Sequence, residues 1–428
     1  MNLKKNLSNK IPGWRNEIKE LIGRYGETLV SGITIHQMFK GLRGVPSLVC
    51  DTSYVDPHQG LFIRDYPLLE IQDKLPEEIF FLLCTGELPG SKALESLQKD
   101  LKERMFVPSY VWDLVRHLSD DTHPMVILSM VMLALQKESI FSREYAAGLP
   151  KQKHWEATLE DALNIVAKMP IIAAGIFRLK VLKKDIIPPN PKLDLAGNFG
   201  YMLGVRELDE IFVDFLRLFM VVHSDHEGGN VAVNTTRIVN SALSDLYYSI
   251  SAGINGLAGF LHGMANQEMV NYVLTLIDRH GGVPEDKEIR DFVRKILNNG
   301  KIFPGFGHAV LRDKDPRFTA LYNFGKKNWP EEKTFRVVEK LSKIVPPLLI
   351  EQGKAKNPYP NIDAISGVML YHFGIKDTGF YPVMFATAQV LGICAQLIIN
   401  RAILSPIFRP RSVTTKWLKE LAEKQSGE

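Results

Sequence analysis

Apolar residues recur at helical spacing along nearly the whole chain, and one short stretch departs from that rhythm. Val270, Val273, Leu274 and Ile277 fall at i, i+3, i+4 and i+7, and Gly281-Gly282 follows as a stop. Leu208, Ile211, Phe212, Phe215 and Val222 make a second stripe; Phe335, Val338, Leu341 and Val345 make a third. The departure lies between Leu48 and Tyr66, where Asp56-Pro57-His58-Gln59-Gly60 reads as a turn between two β-prone runs. Helices do not alternate with strands, which argues against a parallel α/β sheet. The expected class is all-α with one small β-hairpin near the N-terminal region.

At 428 residues the chain is too long for one ordinary core, so two domains are expected. Its 45% apolar and 23% charged residues are the balance of a globular protein. A net charge of +4 without any Lys/Arg block gives no reason to expect nucleic acid, although it favours small anions. Three cysteines without a CxxC exclude a disulfide framework and point to a reducing, cytoplasmic setting. The N-terminus lacks the apolar core of a secretory signal and is too short to resemble an intact organelle transit peptide. Gly379–Asn400 runs 22 residues without a charge, long enough to span a bilayer. Its Pro382, Gln389, Gln396 and Asn400, with no second such segment, favour a helix buried among other helices and no membrane.

Four places set polar groups inside apolar or Gly-rich sequence. In HSDHEGGN, His223 and His226 share a face if the preceding helix continues. They are plausible metal ligands, but the pattern is not HExxH and no cysteine or third histidine is near, so no metal is expected. His262 follows a Gly-rich loop and precedes a helix starting near Ala265, a setting that favours the neutral imidazole as hydrogen-bond donor. His308 lies in Gly305-Phe306-Gly307-His308, with Arg312 and Arg317 downstream. The pair suits a carboxylate or phosphate, against the plainer reading of a solvated loop neutralised by Asp313 and Asp315. Asp363 sits in an apolar neighbourhood that would raise its pKa and make it a base, unless it merely caps a helix. Together these are the parts for deprotonating carbon next to a carbonyl.

In order and spacing, HSDHEGGN, NGLAGFLHGMANQE, PGFGHAVLRDKDPRF, EQGKAKNPYPNIDAISG and AQLIINRAILSPIFRPRS resemble the citrate synthase family, in its long branch, from about Leu3 to Ser412. The resemblance implies condensation of acetyl-CoA with oxaloacetate, or a related 2-oxo acid, through an enol(ate) and a citryl-thioester. It implies a large domain over residues 1–266 and 377–428 and a mobile small domain over residues 267–376. Coenzyme A enters as a thioester substrate, and no metal or redox cofactor is needed. His262, His308 and Asp363 match the catalytic positions. His223, His226, Arg317, Gln389 and Arg409 match substrate-binding positions, Arg409 reaching across a homodimer. Arg43, Lys151, Arg312, Lys354 and Lys356 match positions that meet coenzyme A.

The chain departs from the family pattern at several points. Gln389 stands where the resemblance predicts a substrate arginine, and it supplies neither charge nor a cationic fork. Phe260, Phe303, Ile365 and Lys151 also differ from the usual residues. Two alternatives to a citrate synthase follow. One is a sister enzyme, such as a 2-methylcitrate synthase, with another acceptor or acyl group. The other is a non-catalytic homologue that keeps ligand binding.

Overall fold

The computed structural model describes residues 2–259, 263, 265–353 and 357–426. As the periodicity predicts, it is built almost wholly of helices, with a three-stranded antiparallel sheet as the exception. In that sheet β1 (Ser53–Asp56) pairs with β2 (Gly60–Ile63), and the short β3 (Tyr66–Pro67) extends the hairpin. The Pro57–Gln59 turn joins β1 to β2, where the sequence places it.

The charge-free stretch forms the helix Tyr381–Ala402, almost every residue of which is buried. It packs against the helices His154–Ile176, Pro76–Thr85 and Leu246–Leu257. Uniform apolarity is what a helix needs when neighbours surround it, and each buried Leu or Ile contributes about 1.5–3 kcal/mol. The expectation that this stretch is unique needs correction. Pro124–Ala146 and Lys151–Val181 are also long and apolar enough to cross a membrane; internal charges hid them from a charge-free criterion. In Thr378–Ala402 and Lys151–Val181, 94% and 83% of the most apolar window is buried inside the protein.

A second group of helices is formed by Ala265–His280, Asp286–Asn298, Lys333–Glu351 and Ser366–His372, which pack on one another. The helix Pro316–Asn328 joins this group to the rest by lying against Glu210–Val222 and the short helix Leu68–Ile71. The hairpin meets it too: a Cβ on Gly60 would lie 2.8 Å from the Pro316 ring, at a φ of +93°. Four of the candidate residues, His226, His308, Arg317 and Asp363, gather along this seam.

Candidate active site

The helix Glu210–Val222 stops before HSDHEGGN and the next begins at Val231, capped by Asn230. His223 and His226 therefore do not share a helical face, because the chain turns irregular and Glu227 takes a φ of +59°. His223 is buried; its Nδ1–H donates to the Phe219 carbonyl at 2.8 Å, leaving Nε2 buried without a partner among the described residues. His226 Nε2 is likewise buried and without a partner among the described residues.

His226 faces His308, their ring centroids 5.4 Å apart. The amides of Val310 and Leu311 donate to His308 Nδ1 at 3.1 and 3.0 Å, which fixes the neutral ring with its proton on Nε2. Burial first, then the Arg317 charge, lowers the His308 pKa to about 4. Burial and Arg317 hold His226 well below the ordinary value as well. Both rings are neutral near pH 7, and His308 presents an N–H donor without being acidic.

Arg317 opens the helix Pro316–Asn328 and is 6% exposed. Its Nε and Nη2 grip the carboxylate of Asp315, itself 1% exposed, at 3.0 and 2.7 Å. The solvated-loop reading is thus half right: Asp315 does pair with Arg317, but deep inside. Asp313 pairs with exposed His58 of the hairpin turn at 3.1 Å. Arg312 donates to the carbonyls of Val310 and Leu311 at 2.7 and 2.8 Å, bracing the turn after His308.

Asp363 lies in the short turn Ile362–Ala364, and no side chain caps the following helix. Its carboxylate accepts no hydrogen bond among the described residues, so it does not serve as a cap. Burial raises its pKa to about 6, with Arg317 pulling down and Asp315 pushing up. A carboxylate that is desolvated, without a hydrogen-bond partner among the described residues and not wholly enclosed has the properties of a base near neutral pH.

Sequence reasoning missed Asn361, which brackets the loops that carry His308 and Asp363. Its Nδ2 donates to the Gly307 carbonyl at 2.8 Å, and its Oδ1 accepts from the Asp363 amide at 2.9 Å. Two backbone bonds, Asn361 N to Gly305 O and Gly307 N to Tyr359 O, complete the clasp at 2.8 and 2.9 Å. Gly305 has to be glycine. Its φ is +74°, and a Cβ would sit 2.6 Å from the Ala364 Cα and 2.7 Å from its nitrogen. Backbone cannot give way as a side chain does. Gly305→Ala is expected to lower kcat about 100-fold by moving Asp363 away from His308. It should also cost ~1–2 kcal/mol for the left-handed backbone. Steady-state kinetics with thermal unfolding checks both, and unimpaired turnover would show that the clasp does not set the geometry.

Gln389 is 3% exposed on the helix Tyr381–Ala402, one turn beyond Phe385, whose ring packs edge-on against His223. Its Oε1 is buried without a partner among the described residues. Phe303 is buried against Tyr272 and Phe306 and belongs to the core. Three predicted residues do not join the cluster. Lys151 lies in an exposed turn pinned by Arg15, which donates to the Gln152 and Ala402 carbonyls. That is the far end of the helix, ~20 Å from Gln389 at 1.5 Å per residue. Arg43 is exposed in the coil that precedes the hairpin. Arg409 is exposed beside Phe408, whose amide donates to Ser241 Oγ at 3.0 Å, the end of Val231–Ser241 remote from His226. Phe260, His262, Lys354 and Lys356 lie outside the described residues.

The model of the family "Citrate synthase, C-terminal domain" matches residues 41–411. Citrate synthase 4, mitochondrial, from Arabidopsis thaliana is 40% identical over 100% of this chain and 92% of its own length. The mitochondrial citrate synthase of Citrus maxima is 40% identical over 99% of this chain and 92% of its own. This chain belongs to the citrate synthase family.

Its function is accordingly that of a citrate synthase, an enzyme of the acyltransferase class. The crystal structure of the Pyrobaculum aerophilum citrate synthase superimposes with a TM-score of 0.79 at 27% identity, covering 90% of this chain and 94% of that one. The cytoplasmic placement expected from the cysteines does not stand, because both curated relatives are mitochondrial. Free thiols separate reducing from oxidising compartments but cannot tell two reducing compartments apart.

Proposed function

We propose that the cleft between His226, His308, Arg317 and Asp363 joins the methyl carbon of acetyl-CoA to the ketone carbon of oxaloacetate. The observation that carries this reading is the pairing, across one clasp, of an unpaired raised-pKa carboxylate with a neutral imidazole N–H donor. Asp363 takes a methyl proton, and His262 donates to the thioester oxygen as negative charge develops there. The resulting carbon nucleophile attacks the ketone, whose oxygen is polarised by His308 Nε2–H. Water then cleaves the citryl-thioester, releasing the thiol. No step calls on a metal or a redox group; coenzyme A is carried by the substrate. His223, His226 and Arg317 line the oxo-acid side, and Arg312 with Lys354 and Lys356 serve the coenzyme A phosphates; Arg43 and Lys151, away from this cluster in their own chain, reach coenzyme A only at its outer end or across a dimer.

Residues 267–376 act as the small domain that closes on the substrate, while residues 1–266 and 377–428 form the large one. The mutual packing of the four helices between Ala265 and His372 supports this division, and Gly374, at a φ of +97°, sits where the chain leaves them. Closure keeps water out until the new carbon–carbon bond exists.

The enzyme works as a homodimer. The run from Leu21 to Val49 exposes Leu29, Val30, Phe39 and Val49, and Ile407 and Phe408 are exposed near the other terminus, the kind of apolar surface a partner covers. Arg409, held away from His226 in its own chain, serves the neighbour's cleft in this reading.

Release of free thiol from acetyl-CoA in the presence of oxaloacetate tests the reaction, and absence of release despite oxaloacetate binding overturns it. The unpaired Oε1 of Gln389 favours a second question, the identity of the acceptor. Gln389→Arg is expected to raise kcat/KM for oxaloacetate ~10- to 100-fold, since a charged hydrogen bond in a closed site is worth ~1.5–3 kcal/mol. The buried, uncompensated guanidinium should lower the melting temperature of the free enzyme until oxaloacetate is added. No gain in oxaloacetate turnover would mean that Gln389 reads a less anionic acceptor.

A further inference from the structure

His226 is held in an irregular segment with no helix or sheet ladder of its own, yet its ring has to face His308. The neighbouring Asp225 explains how. It is 1% exposed, and its Oδ2 accepts the hydroxyls of Thr52 and, at 3.0 Å, Ser53. Its Oδ1 accepts from Gln396 Nε2 at 2.8 Å, and the His226 amide faces it too. Ser53 Oγ in turn accepts from the Glu227 amide at 2.8 Å, and Glu227 Oε1 accepts from the Val55 amide at 3.0 Å. The residues on both sides of His226 are thereby tied to β1.

The network continues outward. Gln396 Oε1 accepts from Arg237 Nη1 at 3.2 Å, and Arg237 Nη2 donates to the Val49 carbonyl at 2.7 Å, where the exposed apolar run ends. The same segment is clamped to the helix that carries Gln389: the Gly392 amide donates to the Ser224 carbonyl at 3.0 Å. A Cβ on Gly392 would lie 2.4 Å from that oxygen. Every group aimed at Asp225 is a donor, so the network is matched when the carboxylate accepts from all of them, and a fully satisfied buried network fixes one arrangement.

We infer that Asp225 is a positioning residue: with Thr52, Ser53 and Gln396 it sets the backbone turn that aims His226 at the oxo acid. It touches no reacting atom. The inference rests on the reading of His226 as an oxo-acid ligand and adds what holds that ligand in place.

Asp225→Asn keeps the shape but turns one acceptor into a donor. The expected result is a KM and Kd for oxaloacetate about 10-fold or more weaker, with the acetyl-CoA KM changed less than ~2-fold. The double variant Asp225→Asn/Gln396→Glu restores the match between the two side chains: the introduced amide donates to the introduced carboxylate, which still accepts from Arg237 and gives up only the longer 3.4 Å bond from Gln396 Nε2 to the Glu227 carbonyl. It is expected to recover most of the oxaloacetate affinity. Ser53→Ala, a milder cut in the same network, should shift affinity in the same direction by a few-fold. Unchanged oxaloacetate binding in Asp225→Asn, or equal weakening of both substrates with no recovery in the double variant, overturns the inference. Nitrogen-15 spectra of labelled histidine in the ligand-free enzyme make the test independent of substrate. The His226 ring signals must move in Asp225→Asn, and unmoved signals also overturn it. Wild-type enzyme that binds no 2-oxo dicarboxylate, with those signals moving, would instead refute the role given to His226.

Discussion

Replacing Asp363 with asparagine is expected to lower kcat about 1,000-fold, within the ~10²–10⁴ range of a positioned general base, while making the folded protein more stable. Both effects share one cause. Burial raises the Asp363 pKa to about 6, and its carboxylate has no hydrogen-bond partner among the described residues to offset the loss of water. A folded-state pKa above the unfolded value means that the native protein binds that proton more tightly. The charge therefore costs nothing below about pH 4. Its penalty grows as pH rises through the window ending near pH 6, and it is fully present above. Asparagine is neutral throughout, so its stability advantage should appear across that window and persist at pH 7. The same value shapes wild-type activity. With His308 neutral down to about pH 4, the acid limb belongs to Asp363, and kcat/KM should fall about tenfold per unit below pH 6. Kinetics and thermal unfolding between pH 4 and 8 check all of this. An asparagine variant that keeps its activity, or that is less stable at pH 7, contradicts the role assigned to Asp363.

That arrangement was only partly legible in the chain. Helical period and the DPHQG turn are local signals, so the all-helical class and the hairpin follow from them. The raised pKa of Asp363 was also foreseeable, because apolar neighbours in sequence became apolar neighbours in space. The shared helical face of His223 and His226 failed, since one helix already ends at Val222, with His223 as its C-cap, and the next starts only at Val231 behind the capping Asn230. Asn230 is a standard start signal, and a helix capped there, seven residues after His223, leaves no continuous face for the two rings to share. Asp315 reads as a solvated loop acid in the sequence, yet it is buried where the segment around Pro360 meets it: its amide donates to the Pro360 carbonyl and its Oδ2 accepts from the Ile362 amide. Asn361 and Asp225 carry no local signal at all. Asp225 meets Thr52, Ser53 and Gln396 from more than 170 residues away, and such partners are visible only once the fold is formed.

Arg317→Ala is expected to cost ~3–5 kcal/mol of folding stability at pH 7, because it strands the carboxylate of Asp315 in the interior. In the wild type the Arg317 charge and its hydrogen bonds hold Asp315 below its ordinary pKa against the cost of burial. A depressed carboxylate stabilises the fold above its unfolded pKa, and that contribution fades as acid protonates it. Without Arg317, burial would push Asp315 up instead, so the deficit of the variant should be largest at neutral pH and shrink towards pH 4. Activity should fall at least 100-fold with the loss of a charged oxo-acid ligand, and what remains should have a shifted profile. Arg317 also draws the Asp363 pKa down, so its removal moves the acid limb to higher pH. Arg317→Lys separates the two roles. It keeps a positive charge near Asp315 and should recover much of the stability, while the lost two-pronged grip leaves oxaloacetate binding ~10-fold or more weaker. Urea unfolding at several pH values, with kcat/KM profiles for both variants, makes the comparison. An alanine variant as stable as wild type at pH 7 would mean that the Arg317–Asp315 pair does not carry the seam between the two groups of helices.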